Sequence, residues 1–195
     1  MRVLFLATCL ALPGTGAIAC PVADDLNKGI RFTVDGVDTE VYRRTGPSMV
    51  EAIYKTEDGT ETRSLLARGI YLVELVDLLD GVPDPDTRTT YAFPQRADAL
   101  VDPAQGQSVT YDIAINYGGD FESERQIYQF GQAFTINYGA CEYEVIEIEI
   151  RYEPDDSGTV DLLHYFPALG FSYYAGSDYP DGSDRYAYSN IEVIE

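Results

Sequence analysis

The 195-residue chain has no tryptophan, a single histidine, two methionines and three cysteines, and its only lysines are Lys28 and Lys55. Each shortage excludes something. A structural or catalytic zinc site needs three or four Cys, His or carboxylate ligands in a set geometry, and so few cysteines and one histidine cannot build the Cys/His kind. A Ser-His-Asp triad would have to use His164, which lies in Leu162-Leu163-His164-Tyr165-Phe166. That stretch reads as a strand with no nucleophile motif beside it, so a satisfied strand histidine is the better expectation. The G-x-S-x-G elbow, the phosphate-binding P-loop and the dinucleotide glycine pattern are missing. Thirteen basic residues stand against 33 acids, a net charge of −20. Such a surface repels phosphate backbones and anionic headgroups, which argues against nucleic-acid partners and electrostatic membrane docking.

Long apolar runs are scarce too. The longest opens the chain: Met1-Arg2, then Val3 to Leu12, then Pro13, Gly14 and Gly16, ending in Ala17-Ile18-Ala19. A positive start, a short greasy core and a small-residue A-x-A site are the layout of a cleavable secretory signal. The core is about half of the roughly 20 residues needed to span a bilayer. Residues 1–19 are therefore expected to be a leader, and residues 20–195 a single exported domain, periplasmic or associated with the outer envelope, without a transmembrane segment.

Loss of that leader removes Cys9 and leaves Cys20 and Cys141. Two readings stay open. Two thiols in an oxidising compartment favour a Cys20–Cys141 disulfide. Alternatively, Cys20 becomes the first residue of a lipoprotein and its sulfur carries a lipid anchor; the cleavage box usually begins with Leu, where this chain has Ala17.

Apolar residues recur with period two along most of the rest, the signature of half-buried strands. Ile30, Phe32 and Val34 alternate with Arg31 and Thr33; Tyr111, Ile113 and Ile115 alternate with Asp112 and Ala114. Asp35-Gly36, Asp58-Gly59, Asp80-Gly81, Gly118-Gly119 and Asp181-Gly182 are hairpin turn signals. Pro21 to Lys28 suits a short helical turn, and 62–78 reads as one long or bent strand with Gly69 inside. Phe130, Phe134, Ile136 and Tyr138 share one parity. Tyr143 and Val145 take one parity and Ile146, Ile148 and Ile150 the other, which predicts a β-bulge or a change of sheet near Val145-Ile146. Residues 82–107 hold Pro83, Pro85, Pro94 and Pro103 and suit a connection between halves, with one short strand near Thr90 to Phe93. The fold class is all-β: an antiparallel, hairpin-rich β-sandwich or a strongly curved barrel-like sheet of ten to thirteen strands. Ala67-Arg68-Gly69-Ile70-Tyr71-Leu72 parallels Ala168-Leu169-Gly170-Phe171-Ser172-Tyr173, so two similar halves, 30–80 and 108–195, are entertained.

Five sets of residues are worth placing. Glu147 and Glu149, joined by Arg151 on one strand face, are the carboxylates that a hydrolase would need, although a solvated strand face explains them. Asp178, Asp181 and Asp184 around Gly182, and Asp155, Asp156 and Asp161 around Gly158, offer oxygen ligands for Ca²⁺ without the EF-hand spacing; no other cofactor is implied. The C-terminal tyrosines Tyr165, Tyr173, Tyr174, Tyr186 and Tyr188, among 16 in the chain, suit a binding groove because each offers a flat apolar face and a hydroxyl. Finally, a cavity inside a curved sheet would be lined by Phe130, Phe134, Tyr165 and Phe171. The expectation is a non-catalytic exported protein that binds a protein partner or a ligand; a carrier of a hydrophobic ligand and a carboxylate-dependent hydrolase are the alternatives.

Overall fold

A computed structural model describes residues 19–155 and 157–194; the expected leader lies outside the described residues apart from Ala19. A 3₁₀ turn, Ala23–Asn27, comes first. Five strands then follow as a meander: β1 (Ile30–Val34), β2 (Asp38–Gly46), β3 (Met49–Lys55), β4 (Glu61–Ala67) and β5 (Tyr71–Leu79). The connecting region carries β6 (Val82–Pro83), β7 (Thr89–Ala92) and a second 3₁₀ turn, Ala97–Ala99. A second meander comprises β8 (Ser108–Tyr117), β9 (Asp120–Tyr138), β10 (Cys141–Glu153), β11 (Val160–Phe166) and β12 (Phe171–Tyr179). It ends in β13 (Gly182–Arg185) and β14 (Tyr188–Val193). The fold is all-β and antiparallel. Among the described residues the fourteen strands form one large curved sheet rather than a sandwich of two.

Strands β1–β7 and β8–β14 follow similar courses, the first run taking in β6 and β7 of the connecting region, although β7 also pairs with β5 whereas, among the described residues, β14 does not pair with β12. β5 pairs with β6 through Leu78↔Pro83 and Leu79↔Val82, and β12 pairs with β13 through Asp178↔Ser183 and Tyr179↔Gly182. β7 then pairs with β8, the first strand of the second half, as β14 pairs with β1, the first strand of the first. The ladder does not close. Between β13 and β14 the Tyr186 amide donates to the Ala175 carbonyl (3.1 Å) and the Asp35 amide to the Ala187 carbonyl (3.0 Å), so a single segment bridges the two ends of the sheet.

Residues 62–78 are not one bent strand. They divide into β4 and β5 at Arg68-Gly69, with φ of +53° and +68°. Positive φ at both central residues is what a two-residue type I′ hairpin requires. Gly69 supplies it without strain, but an arginine in that conformation hides the turn from composition. The tip meets the β11–β12 tip: the Gly69 carbonyl accepts from the Ser172 amide (2.8 Å) and its hydroxyl (2.9 Å). A Cβ on Gly69 would lie 2.3 Å from the Gly170 oxygen. The segments that look alike in sequence are therefore in contact.

Two hydrophobic cores result, because β10, β11 and β12 bury both faces. Tyr143 and Val145, with Leu162, Phe166, Phe171 and Tyr173, belong to a first core built on Ile30, Phe32 and Tyr42. Ile146, Ile148, Ile150 and Leu163 belong to a second core with Tyr71, Ile113, Ile115, Tyr128 and Phe130. Val145 and Ile146 point to opposite faces and both are buried, which explains the parity change. A register shift accompanies it: Ile146 faces Ala133 and Ile148 faces Phe130, so the extra residue lies in β9. Cys20 and Cys141 are joined (Cα–Cα 5.4 Å), and Tyr143 donates to the Pro21 carbonyl (2.9 Å), so the N-terminal segment is fastened to the first core.

Candidate functional site

The two hairpins β4–β5 and β11–β12 touch at their tips, and beside that contact the sheet leaves a cavity of about 450 Å³. Both halves line it. Strand alternation, with an extra residue at Val73 that lets Leu72 and Leu75 share a side of β5, places the walls: Leu66 on β4, Leu72 and Leu75 on β5, Ile115 on β8, Ile150 on β10 and Leu163 on β11. Pairing of Ile148 with Leu163 and of Ile150 with Asp161 puts Asp161 on the same inner face. Six tyrosines complete the lining: Tyr42, Tyr91, Tyr117, Tyr128, Tyr152 and Tyr174. Tyr117 and Tyr174 are 44% and 37% exposed and so stand at its mouth, whereas Tyr42 and Tyr128 are buried at its floor.

Three carboxylates reach this space. Glu40 pairs across the ladder with Phe32, a wholly buried core position, and is itself 9% exposed. It accepts a hydrogen bond from the Tyr188 hydroxyl (2.5 Å). Burial pushes its carboxyl above the usual range, and the hydrogen bonds from Tyr188 and Tyr42 partly offset that. Asp161 accepts from the hydroxyls of Tyr152 (2.5 Å), Ser177 (2.5 Å) and Tyr174 (3.2 Å). Burial and the adjacent Asp161 charge together drive the Tyr152 phenol up, so it stays a donor. Glu124 accepts from the Gln126 amide (2.8 Å), whose carbonyl accepts in turn from Tyr128 (2.6 Å). Neutral donors satisfy all three.

Of the five C-terminal tyrosines expected to form a groove, Tyr174 lines the cavity. Tyr188 reaches it through Glu40 and stacks on Tyr173 at 3.7 Å. Tyr173 itself is buried behind the wall, bonded to the Tyr138 hydroxyl (2.8 Å) and to His164 Nδ1 (2.9 Å). Tyr186 is exposed with its ring 5.6 Å from that of Tyr174. Tyr165 packs against the second core and faces a different, smaller hollow beside Arg68 and Asp102. The expected cavity walls need correcting as well. Phe130 and Phe171 are wholly buried filler in the two cores, and Phe134 is 38% exposed against the His164 ring. The bulge in β9 shifts Phe134 off the inward parity that Phe130 keeps.

The missed lining carries a readable signal: an acid or amide in register with core residues, as in Glu40-x-Tyr42 and Glu124-x-Gln126-x-Tyr128. A polar residue on a buried parity is costly unless something solvates it, so it marks a lined interior.

The remaining candidates sit outside. Glu149 accepts from Arg151 (2.7 Å), and Glu147 Oε2 lies 3.6 Å from His164 Nε2, both on the β10 face opposite the cavity. Burial pushes the His164 imidazole down to about 4, with the positive Arg185 adding to the shift. Asp178 holds Arg185, and Asp184 accepts from Tyr179 (3.0 Å). Asp155 accepts from the Ser157 amide (2.8 Å), Asp161 turns inward, and Asp156 lies outside the described residues. Among the described residues no group of three or more His, Cys, Asp or Glu side chains is placed to hold a metal ion. Nor is any helix there long and apolar enough to cross a membrane.

No protein-family model and no curated protein matches the chain. A solved structure, the hypothetical lipoprotein YmcC from Escherichia coli K12, is similar at 12% identity over 87% of this chain and 89% of that one, with a TM-score of 0.44.

Proposed function

We propose that the protein is an exported, non-catalytic binder that holds a small, largely apolar ligand in the cavity between its two halves. The cavity carries this reading. Its volume falls within the range of about 300–1,000 Å³ typical of small-molecule sites, and it combines apolar walls with a few placed polar groups. Export is supported by the order of charge, apolar run and A-x-A box in residues 1–19. A disulfide between Cys20 and Cys141 suits an oxidising compartment such as a bacterial periplasm. With its sulfur in that bond, Cys20 has none left for a thioether-linked lipid, so the reading favours a free envelope protein over an anchored one. The two carboxylates named for a hydrolase, Glu147 and Glu149, lie outside the cavity and engage His164 and Arg151.

The test uses protein purified from the envelope of cells that make the full chain. Its intact mass is expected to show cleavage after Ala19 and two hydrogens lost to a disulfide. The neutral fluorophore N-phenyl-1-naphthylamine is expected to bind saturably, one per chain. Leu163→Trp or Leu66→Trp, each projecting an indole into the cavity, should abolish binding while the circular dichroism spectrum keeps its β form. Binding that is absent from the wild type, or undiminished in both filled variants, would refute the reading.

A further inference from the structure

The cavity has walls for an apolar body, and its acidic groups have no basic counterpart in the lining. Glu40, Glu124 and Asp161 face it, and among the described residues no lysine, arginine or histidine lines it. Glu40 is held by phenols, Asp161 by two phenols and a serine hydroxyl, and Glu124 by an amide. None of the three is in an ion pair among the described residues. Buried or half-buried carboxylates ordinarily have a counter-ion. Elsewhere this chain supplies one, as Arg63 does for the half-buried Glu51 and Glu74. The three cavity carboxylates have no such partner among the described residues. The six tyrosines of the cavity add the negative faces of their rings, which attract a cation placed over them.

From this geometry we infer that the ligand is an organic cation: an amine or quaternary ammonium group on an apolar body, the charge lying among Glu40, Asp161 and the tyrosine rings. The inference rests on the cavity-binding reading and adds the chemical class of the ligand. Two further features agree with it. A fatty-acid carboxylate would meet three acidic side chains with no basic residue to receive it, and it would first have to approach a chain of net charge −20. An organic cation is drawn by the same field and surrenders less hydration than a compact metal ion on entering apolar walls. Burial disfavours the charged form of Glu40, and a cation beside it would restore that form.

The test sets three eight-carbon ligands of different charge against the bound neutral fluorophore: octyltrimethylammonium, octan-1-ol and octanoate. The expected order has the cation displacing the probe at about tenfold lower concentration than the alcohol, the size of a single charge interaction of ~1.4 kcal/mol, with octanoate weakest. Glu40→Gln and Asp161→Asn should each erase most of the cation's advantage over octan-1-ol. Glu124→Gln replaces either variant if it fails to fold. An alcohol that displaces as well as the cation, an octanoate that displaces better, or a preference surviving in the carboxylate variants would overturn the assignment of a cationic ligand. Failure of the fluorophore itself to bind would instead overturn the underlying cavity reading, so the two failures are distinguishable.

Discussion

The β4–β5 and β11–β12 hairpins have strands of equal length, seven and nine residues, and meet tip to tip, yet the contact is one-sided. A Cβ on Gly69 would strike the Gly170 oxygen at 2.3 Å and the Phe171 Cα at 2.6 Å, whereas one on Gly170 would meet nothing within 4 Å. The two cores differ in the same manner. In the first, Phe32 lies against six aromatic rings, and a disulfide fastens the segment before β1. The second is rich in isoleucine, and its tyrosines fasten the connection between the halves: Tyr71 donates to the Val101 carbonyl (2.7 Å), and Tyr111 accepts from the Val101 amide (3.1 Å). A repeated strand order therefore fixes which strands are neighbours and leaves the packing to the side chains. One core is closed by an aromatic hub and a covalent bond, the other by branched aliphatics and hydrogen bonds to a loop.

The sharpest way to break this comparison is to remove the hub. Phe32→Ala deletes a wholly buried ring and is expected to cost about 3–5 kcal/mol in urea denaturation. Phe130→Ala, at the equally buried phenylalanine of the second core, should fall at the low end of that range, about 3 kcal/mol; a loss as large as that of Phe32→Ala would mean that the first core has no hub. Next comes the covalent fastening. Replacing Cys20 and Cys141 together by serine should cost about 2–4 kcal/mol, and amide exchange should accelerate in β1 more than in β8. Third is the tip contact: Gly69→Ala should cost about 2–3 kcal/mol through backbone collision, against about 1 kcal/mol for Gly170→Ala, which meets only its φ of +81°.

The smallest effect is a pH dependence confined to one hairpin. His164 occupies the fifth position of β11, where β4 has Leu65. Its imidazole, pushed down from 6.5 to about 4, favours the neutral form in the folded state. Its contribution is therefore complete above pH 6.5 and is lost as pH falls towards 4. Glu147, 3.6 Å away, opposes part of this, so the loss by pH 5 should be about 1–2 kcal/mol. The difference in stability between wild type and His164→Gln should shrink by that amount between pH 7 and pH 5. A constant difference would show that the histidine titrates as it does in water.

Much of the sheet was legible from period-two patterning and Asp-Gly turns, including the short strand within the proline-rich stretch and the irregularity near Val145-Ile146. The Arg68-Gly69 turn was not, because an arginine at positive φ lacks the turn composition that reveals Asp80-Gly81. The cavity was the least legible feature. Pairing of β9 with β10 sets Tyr128 near Tyr152, but only the curvature of the sheet brings Tyr42 of β2 round to the same space. Tyr174 was recognisable by composition alone, whereas Tyr173 beside it points the other way and fills a core. What composition lacked was the facing partner. Strand parity tells which residues share a side, and curvature tells whether that side is filled or hollow.

Methyl-resolved NMR during titration with N-phenyl-1-naphthylamine tests the central claim most directly. Shifts should concentrate on the methyls of Leu66, Ile115, Ile150 and Leu163, which line the cavity from both halves, and leave Ile30 and Ile191 of the first core in place. Shifts that instead gather on the exposed Leu79 and Val82, with the four cavity residues unmoved, would contradict it.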